Sequence, residues 1–592
     1  MGEVLRIGGA CGFWGEAPHA TGQLLASGVD VLAYDYLAEI TMSLLARARA
    51  KDPGLGYASD FITDAMTPNL AGIAACSVKV LSNAGGMNPS ACAEALLGVI
   101  DAAGLSLRVA VVEGDDLLPR AEDYAEATEM FSGAAMPAQK RIASMNAYLG
   151  ALPVVAALRE GADVVITGRC ADSALTLAAC IWRFGWTRDS YDLLAAGSLA
   201  GHLLECGPQA TGGNFTDWEV AGDLARIGYP IAEIMQDGSI VLTKPEGTTG
   251  AVTRATVAEQ MLYEIGDPRA YLLPDVICDF SEVRLEQAGP DRVSVAGAKG
   301  RQPSGQLKVC ATYQDGYRGG MVFQMNGRDA ARKARTFAQA GLDRARERLR
   351  VIDAPDFTET ALEAFGGKPG EGSYQEITFK AAVRHADARG VGLFLKELTG
   401  TALATPPGLH FFTGSGRPKP SPVIALFSLL IDADDITYRV KLDGREVAFD
   451  PGHLIPEPDV MDQAPIPPQP ELSAEQISVP LERLAWARSG DKGDSANIGV
   501  IARHHDGLPH IWAALTPEVI AKLFAAELEG EVARYYLPGS QSMNIVMTRV
   551  LGGGGVASLR NDPQGKSFAQ RLLSLPVTVP ASLVSEPKGG AT

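Results

Sequence analysis

The 592 residues are 46% hydrophobic and 21% charged, proportions that exclude disorder throughout and suit two or three domains with sizeable cores. With 70 acidic against 52 basic residues the net charge is −18, which argues against a nucleic-acid-binding surface. No apolar stretch reaches the roughly 18 to 20 residues of a membrane span, and Met1-Gly2-Glu3-Val4-Leu5-Arg6 has no basic-then-apolar leader. A cytoplasmic protein without a membrane or nucleic-acid partner is therefore expected.

The first 200 residues alternate apolar runs with helical patterns. Strands are predicted at Val4 to Ile7, Val29 to Ala33, Val78 to Leu81, Leu107 to Val112 and Ala162 to Ile166. Helices are predicted between them at His19 to Ala26, Leu37 to Ala48, Pro89 to Ala103 and Ala138 to Leu158. Nearly all-apolar strands separated by helices imply a mostly parallel sheet covered on both faces, in an α/β domain spanning 1–205. From 206 to 450 shorter strand candidates alternate with Gly- and Pro-rich loops, predicting a mixed α/β domain; Val423 to Leu430 is its clearest strand and Asp329 to Val351 a charged helix. A proline-rich linker is predicted over 451–476. The segment 477–579 then reads as a small α+β domain, plausible as ferredoxin-like, with helices at Pro517 to Leu528 and Gly565 to Leu573.

A parallel sheet binds its ligand beyond the carboxyl ends of its strands, so the loops there carry the functional signal. They read Gly8-Gly9-Ala10-Cys11-Gly12-Phe13-Trp14-Gly15-Glu16, Tyr34-Asp35-Tyr36-Leu37-Ala38-Glu39, Ser82-Asn83-Ala84-Gly85-Gly86-Met87-Asn88-Pro89, Glu113-Gly114-Asp115-Asp116 and Thr167-Gly168-Arg169-Cys170-Ala171-Asp172-Ser173. The glycine spacing in the first loop is not GxGxxG, and Phe13 and Trp14 crowd the turn, which disfavours a dinucleotide. No GxxxxGK[ST] or GxSxG motif occurs, disfavouring phosphate-loop and α/β-hydrolase chemistry.

If a helix starts near Asp35, Asp35 and Glu39 lie one turn apart and form a carboxylate pair able to supply a general base; capping of that helix by Asp35 is the competing reading. Asn83 with the Gly85 and Gly86 amides offers donors for an oxyanion, against a plain glycine turn. Arg169 suits a carboxylate or phosphate, with Asp172 orienting it and Ser173 beside it. Gly12 and Glu16 complete the crevice set. In the last domain Arg488 and Lys492, within Arg488 to Asn497, are candidates for closing over an anionic ligand, with a salt-bridged turn at a domain interface as the competing reading. Cys11 and Cys170 sit in crevice loops but read better as buried thiols than as nucleophiles. The eight cysteines form no CxxC pair and the eight histidines no HxH or HxxxH, while His504-His505 is adjacent rather than spaced for one helix face; no metal site is expected.

Gly8 to Glu16, Tyr34 to Thr41, Ser82 to Pro89, Thr167 to Leu175, Gly201 to Phe215 and Arg488 to Arg503 together resemble the acyclic terpene utilisation (AtuA) family over nearly the whole chain. The resemblance implies a ferredoxin-like C-terminal domain and a cytoplasmic role in catabolism of branched terpenoid acids, beside acyl-CoA carboxylases, hydratases and lyases. It implies no residue roles. The resulting expectation is a cofactor-independent enzyme, with CoA present only as part of its substrate, that hydrates, dehydrates or cleaves a branched acyl compound. Asp35, Glu39, Arg169 and Asp172 are its catalytic candidates, and the assembly is expected to be a homo-oligomer. The alternative is a non-catalytic partner that binds an acyl-CoA or scaffolds a neighbouring enzyme; a redox enzyme comes third.

Overall fold

The computed structural model describes residues 3–16, 18–366, 374–411, 418–452, 464–465, 467–470, 475–555 and 557–584. The proline-rich segment 451–476 lies largely outside them. The chain divides into two compact units, one of Met1–Thr312, Leu426–Val550 and Gln564–Thr592, the other of Tyr313–Ala425 and Leu551–Pro563.

The first unit begins β1 (Val4–Cys11), α1 (Ala20–Ala26), β2 (Val31–Tyr34), α2 (Glu39–Lys51), α3 (Leu70–Cys76), β3 (Lys79–Ser82), α4 (Pro89–Ala102) and β4 (Val109–Glu113). It continues with β5 (Ile142–Ala147), α5 (Leu152–Arg159), β6 (Val164–Thr167), α6 (Ala174–Phe184), α7 (Tyr191–Leu204), β7 (Ile231–Met235), β8 (Ile240–Thr243) and α8 (Arg254–Leu262). Five strands pair in parallel in the order β1-β2-β3-β6-β4. Val31, Leu32, Val80, Leu81, Val164, Val165 and Ile166 are fully buried, which is why these strands read as continuous apolar runs. Each such side chain contributes about 1.5–3 kcal/mol by leaving water.

The sheet does not stop at the boundary expected at 205. Antiparallel strands extend it: β7, β8, Arg292–Ala296 and Arg284–Gly289 beyond β1, and Arg439–Leu442 with Arg445–Val447 beyond β4, eleven strands among the described residues. The chain therefore returns to one sheet from segments on both sides of that boundary. The topology also marks a place for a ligand. From β3 the chain leaves through α4 toward β4, whereas from β6 it leaves through α6 and α7 toward β7 on the far side of β1. Connections departing in opposite directions open a crevice at the carboxyl ends of β3 and β6.

Three predicted elements need correction. The helix expected over Ala138 to Leu158 is a short 3-10 turn, strand β5 and helix α5. Strand pairing takes Ile142–Ala147, where β5 joins the strand Gln306–Gly327, and Pro153 in the first turn sets a new helix start. β1 runs four residues past its expected end, so Gly8 and Gly9 are strand rather than loop; a Cβ at Gly9 would lie 2.5 Å from the Leu204 carbonyl oxygen. Helix α2 starts at Glu39, not near Asp35: residues 35–38 are outside regular structure after β2, and Ala38, at the helix N-cap, is still extended (φ −114°, ψ 169°).

Within the same unit, strands Ala485–Lys492, Ser495–Ala502, Ser542–Met547 and Val532–Leu537 form an antiparallel sheet in that order, with helices Leu508–Ala514, Pro517–Leu523 and Phe568–Leu573. Gln476–Pro480 pairs separately with Pro576–Pro580. In the second unit, Gln375–His385 lies antiparallel to the Tyr317–Gly327 part of a long strand, with Glu359–Phe365 at its other edge. Helices Ala330–Val351 and Ala388–Gly400 cover a core of Phe323, Phe337, Phe379 and Phe394.

Candidate functional site

At the end of β2 successive residues point to opposite faces. Tyr34 and Tyr36 stack on one side, ring centroids 6.2 Å apart, against Phe61. Asp35 takes the other side and is 9% exposed. Asn83, fully buried after β3, donates through Nδ2 to Asp35 Oδ1 at 2.5 Å and accepts the Tyr36 amide on Oδ1 at 2.7 Å. Both ends of this amide are thus committed to holding the Tyr34-Asp35-Tyr36 loop.

Arg169, 3% exposed, follows β6. Its backbone amide donates to Asp115 Oδ2 at 2.8 Å, and that same oxygen accepts Asn146 Nδ2 at 2.8 Å. Gly168 passes Asp115 so closely that a Cβ there would collide with the carboxylate. The guanidinium donates to the Leu37 carbonyl at 2.6 Å, pairs with Asp172 Oδ1 at 3.0 Å and lies 4.1 Å over the Tyr148 ring. Tyr148 in turn donates its hydroxyl to Glu39 Oε1 at 2.6 Å, and Lys308 Nζ pairs with the same oxygen at 3.3 Å.

The carboxylates fall into two electrostatic classes. Burial acts to raise Glu39, but Lys308, Arg169 and the Tyr148 hydroxyl outweigh it and hold its carboxyl well below the usual carboxylate range. Asp35 goes the other way: burial, then the nearby Asp172 charge, push it up despite Arg169 and Asn83. Burial likewise raises Glu205, although His202 opposes it. His202 Nδ1 lies 2.8 Å from Glu205 Oε1, and its Nε2 meets the Met261 carbonyl at 3.1 Å. A carbonyl only accepts, so Nε2 carries a proton and a further proton lies between Nδ1 and Glu205.

Asp35, Asp172 and Glu205 line one cavity of about 220 Å³, together with Cys11, Thr176 and the glycine backbones at 9 and 201. Glu205 Oε2 is buried there without a hydrogen-bond partner. A second cavity of about 280 Å³ lies against Cys11, Glu16, Tyr34, Tyr36, Asp60 and Asp64. There Glu16 accepts the Gly12 amide at 2.5 Å and the Tyr229 hydroxyl at 2.8 Å. Gly12 itself lies where a Cβ would come within 2.8 Å of the Glu205 carbonyl. Cys11 borders both cavities, but burial raises its thiol and pushes that of Cys170 up to about 12, so neither is held as a thiolate.

Several expected roles change. Asp35 and Glu39 do not share a helix face, since Asp35 precedes α2; both are instead within the electrostatic reach of Arg169. The expected oxyanion donors are otherwise placed: Asn83 Nδ2 donates to Asp35, the Gly86 amide donates to the Asn83 carbonyl at 3.1 Å, and a Cβ on Gly85 would come within 2.5 Å of the Thr167 carbonyl oxygen. Ser173 is buried at the start of α6, where a Cβ on Gly201 would approach it to 2.7 Å, and serves packing. Arg488 is spent on the carbonyls of Gly213 and Asn214, on the Gln209 side chain and on the Tyr263 ring. The segment Arg488 to Asn497 is a β-hairpin rather than a loop, and Lys492 at its tip is exposed and within electrostatic reach of His202 and Glu205. Tyr148, Lys308, His202 and Glu205 escaped the sequence reading. Tyr148 fell inside a misassigned helix, Lys308 inside an unremarkable strand, and only the crevice glycines facing Leu204 and Glu205 hinted at the last pair.

The chain matches the family described as acyclic terpene utilisation family protein AtuA over residues 5–442, and the AtuA ferredoxin-like domain over residues 479–578. The chain belongs to the acyclic terpene utilisation family. No curated protein and no solved structure matches it. All of the crevice residues except Lys492 fall in the AtuA region, and Lys492 comes from the ferredoxin-like domain. No helix among the described residues is long and apolar enough to cross a membrane.

Proposed function

We propose that this AtuA protein is an enzyme of branched, terpenoid-type acid degradation, acting on an acyl-CoA-type substrate by hydration, dehydration or carbon–carbon cleavage. Each of these reactions moves a proton beside a carbonyl. The observation that carries the reading is that Asp35 and Asp172 line one cavity where the sheet connections diverge, with Arg169 paired to Asp172 behind it. Of the two candidate bases, Asp35 is the suited one, because burial, and then the Asp172 charge, raise its affinity for a proton, whereas Glu39 is held as the anion. Glu39 is the fixed counter-charge that keeps Lys308, Tyr148 and Arg169 in place. Exposed Lys492, which makes no ion pair among the described residues, supplies a cation for the substrate's carboxylate or phosphate.

Asp35→Asn keeps the size and the Asn83 contact but cannot carry the proton. On a branched acyl-CoA turned over by the unaltered protein, kcat should fall by about 10² or more. Unchanged turnover in this variant would remove the assignment.

A further inference from the structure

The chain's adjacent histidines sit where the strand Ser495–Ala502 ends and the helix Leu508–Ala514 begins. His504 is extended (φ −109°, ψ 138°) and His505 opens a 3-10 turn, so the two side chains do not splay as neighbours on a strand do. Their rings lie over one another with centroids 4.5 Å apart and 31° between planes. Asp506 turns back toward both: its Oδ2 is 3.0 Å from His505 Nε2 and 3.7 Å from His504 Nδ1. The Asp506 backbone amide donates to His504 Nδ1 at 3.2 Å, so that nitrogen carries a lone pair and no proton.

Ligands held tetrahedrally at 2.0–2.1 Å from a zinc ion are separated by about 3.3 Å along each edge. The two separations on Asp506 bracket that value, and one ligand atom from each of the three residues lies within 4.8 Å of the others. We infer that His504, His505 and Asp506 form a binding site for a single late first-row divalent cation, zinc being the physiological choice. Imidazole nitrogen with one carboxylate oxygen is a donor set that prefers zinc, nickel or copper over magnesium or calcium. Binding requires the lone pair of His505 Nε2, any proton on that nitrogen passing to solvent, and His504 Nδ1 exchanges the Asp506 amide for the metal. The freed amide turns to water, at little cost where the His505 and Asp506 side chains are 76% and 64% exposed. The same exposure leaves the fourth coordination position to solvent. The ion would fix the short connection between the strand and the helix.

The site is independent of the crevice, so its test needs no substrate. Zinc is titrated calorimetrically into the full-length, chelator-stripped protein under a non-metal-binding reductant. Cobalt absorption then reports the donor set, because thiolate ligands add a charge-transfer band that imidazole and carboxylate do not. Cys76, the exposed cysteine, is the rival ligand and is replaced in a Cys76→Ser control. The expected result is one zinc equivalent, no thiolate band, binding kept in Cys76→Ser, and affinity lowered by about tenfold or more in both His505→Gln and Asp506→Asn. No binding, binding lost in Cys76→Ser, or binding retained in both site variants would overturn the inference.

Discussion

The residue that organises the crevice is Arg169, held through its terminal Nη1 and by stacking on the Tyr148 ring, while its buried Nε has no hydrogen-bond partner among the described residues. A buried guanidinium is tolerable only when paired and hydrogen-bonded, and Asp172, the Leu37 carbonyl and the Tyr148 ring supply that. Its backbone depends on Asp115, whose carboxyl burial pushes up to about 7 against the Arg169 amide and Asn146. This group has a pH signature. An aspartate ordinarily titrates at about 3.9, so the folded state binds the proton more tightly than the unfolded chain. Its contribution to stability is complete below about pH 4 and is lost as pH rises through about 7. Asp115→Asn removes that titration, and the loss of thermal stability between pH 5 and pH 8 should shrink in the variant. Equal losses in both proteins would show that Asp115 does not titrate in this way.

Among the elements, α8 shows how local sequence and burial cooperate. Thr253 accepts the Thr256 amide at 3.2 Å while the Thr256 hydroxyl accepts the Thr253 amide at 2.9 Å, a reciprocal cap in which a threonine replaces the usual glutamate. Every residue from Ala255 to Leu262 is buried, so two unpaired amides at its start have no water to turn to. Thr253→Ala should cost about 1 kcal/mol, read as a lower urea midpoint with unchanged slope. A midpoint equal to that of the unaltered protein would mean that the cap is dispensable.

Across the whole first unit, α8 is where the two family domains meet. Glycines 490 and 499 in the ferredoxin-like domain allow its strands to approach Tyr263, Glu264 and Leu262 more closely than any side chain would permit. Asn497 closes the contact, donating to the Leu262 carbonyl at 2.6 Å and accepting the Glu264 amide at 2.9 Å, and Asn544 donates to the carbonyls of Ile265 and Gly266 at 2.8 and 2.7 Å. Asn497→Ala leaves buried partners unsatisfied at about 1–3 kcal/mol and should lower the melting temperature by roughly 2 °C or more. A chain ended after Gly452 uncovers the side of α8 that packs on the ferredoxin-like strands and should accumulate in the insoluble fraction. Full solubility of that truncation would show that the AtuA region does not rely on its C-terminal domain.

Parallel strands buried on both faces announce themselves as apolar runs, and β1, β2, β3, β4 and β6 were therefore readable one by one from the chain. The loops after them were readable as loops, because glycine, carboxylate and arginine interrupt an apolar run there; Asp35 and Asp172 line one cavity, and Arg169 pairs with Asp172. What no local pattern carries is pairing over long separations. Ile142–Ala147 reads as helix until a strand more than 150 residues later claims it, and the sheet gains its outer strands from segments that look like another domain. The same holds for charge. Asp35 and Glu39 look alike in sequence, and their proton affinities part because Lys308, Arg169 and Tyr148 outweigh burial at Glu39, whereas burial, and then Asp172, prevail at Asp35. Composition and periodicity act through neighbours along the chain, whereas burial and Coulomb interactions act through neighbours in space, and those exist only once the chain has folded.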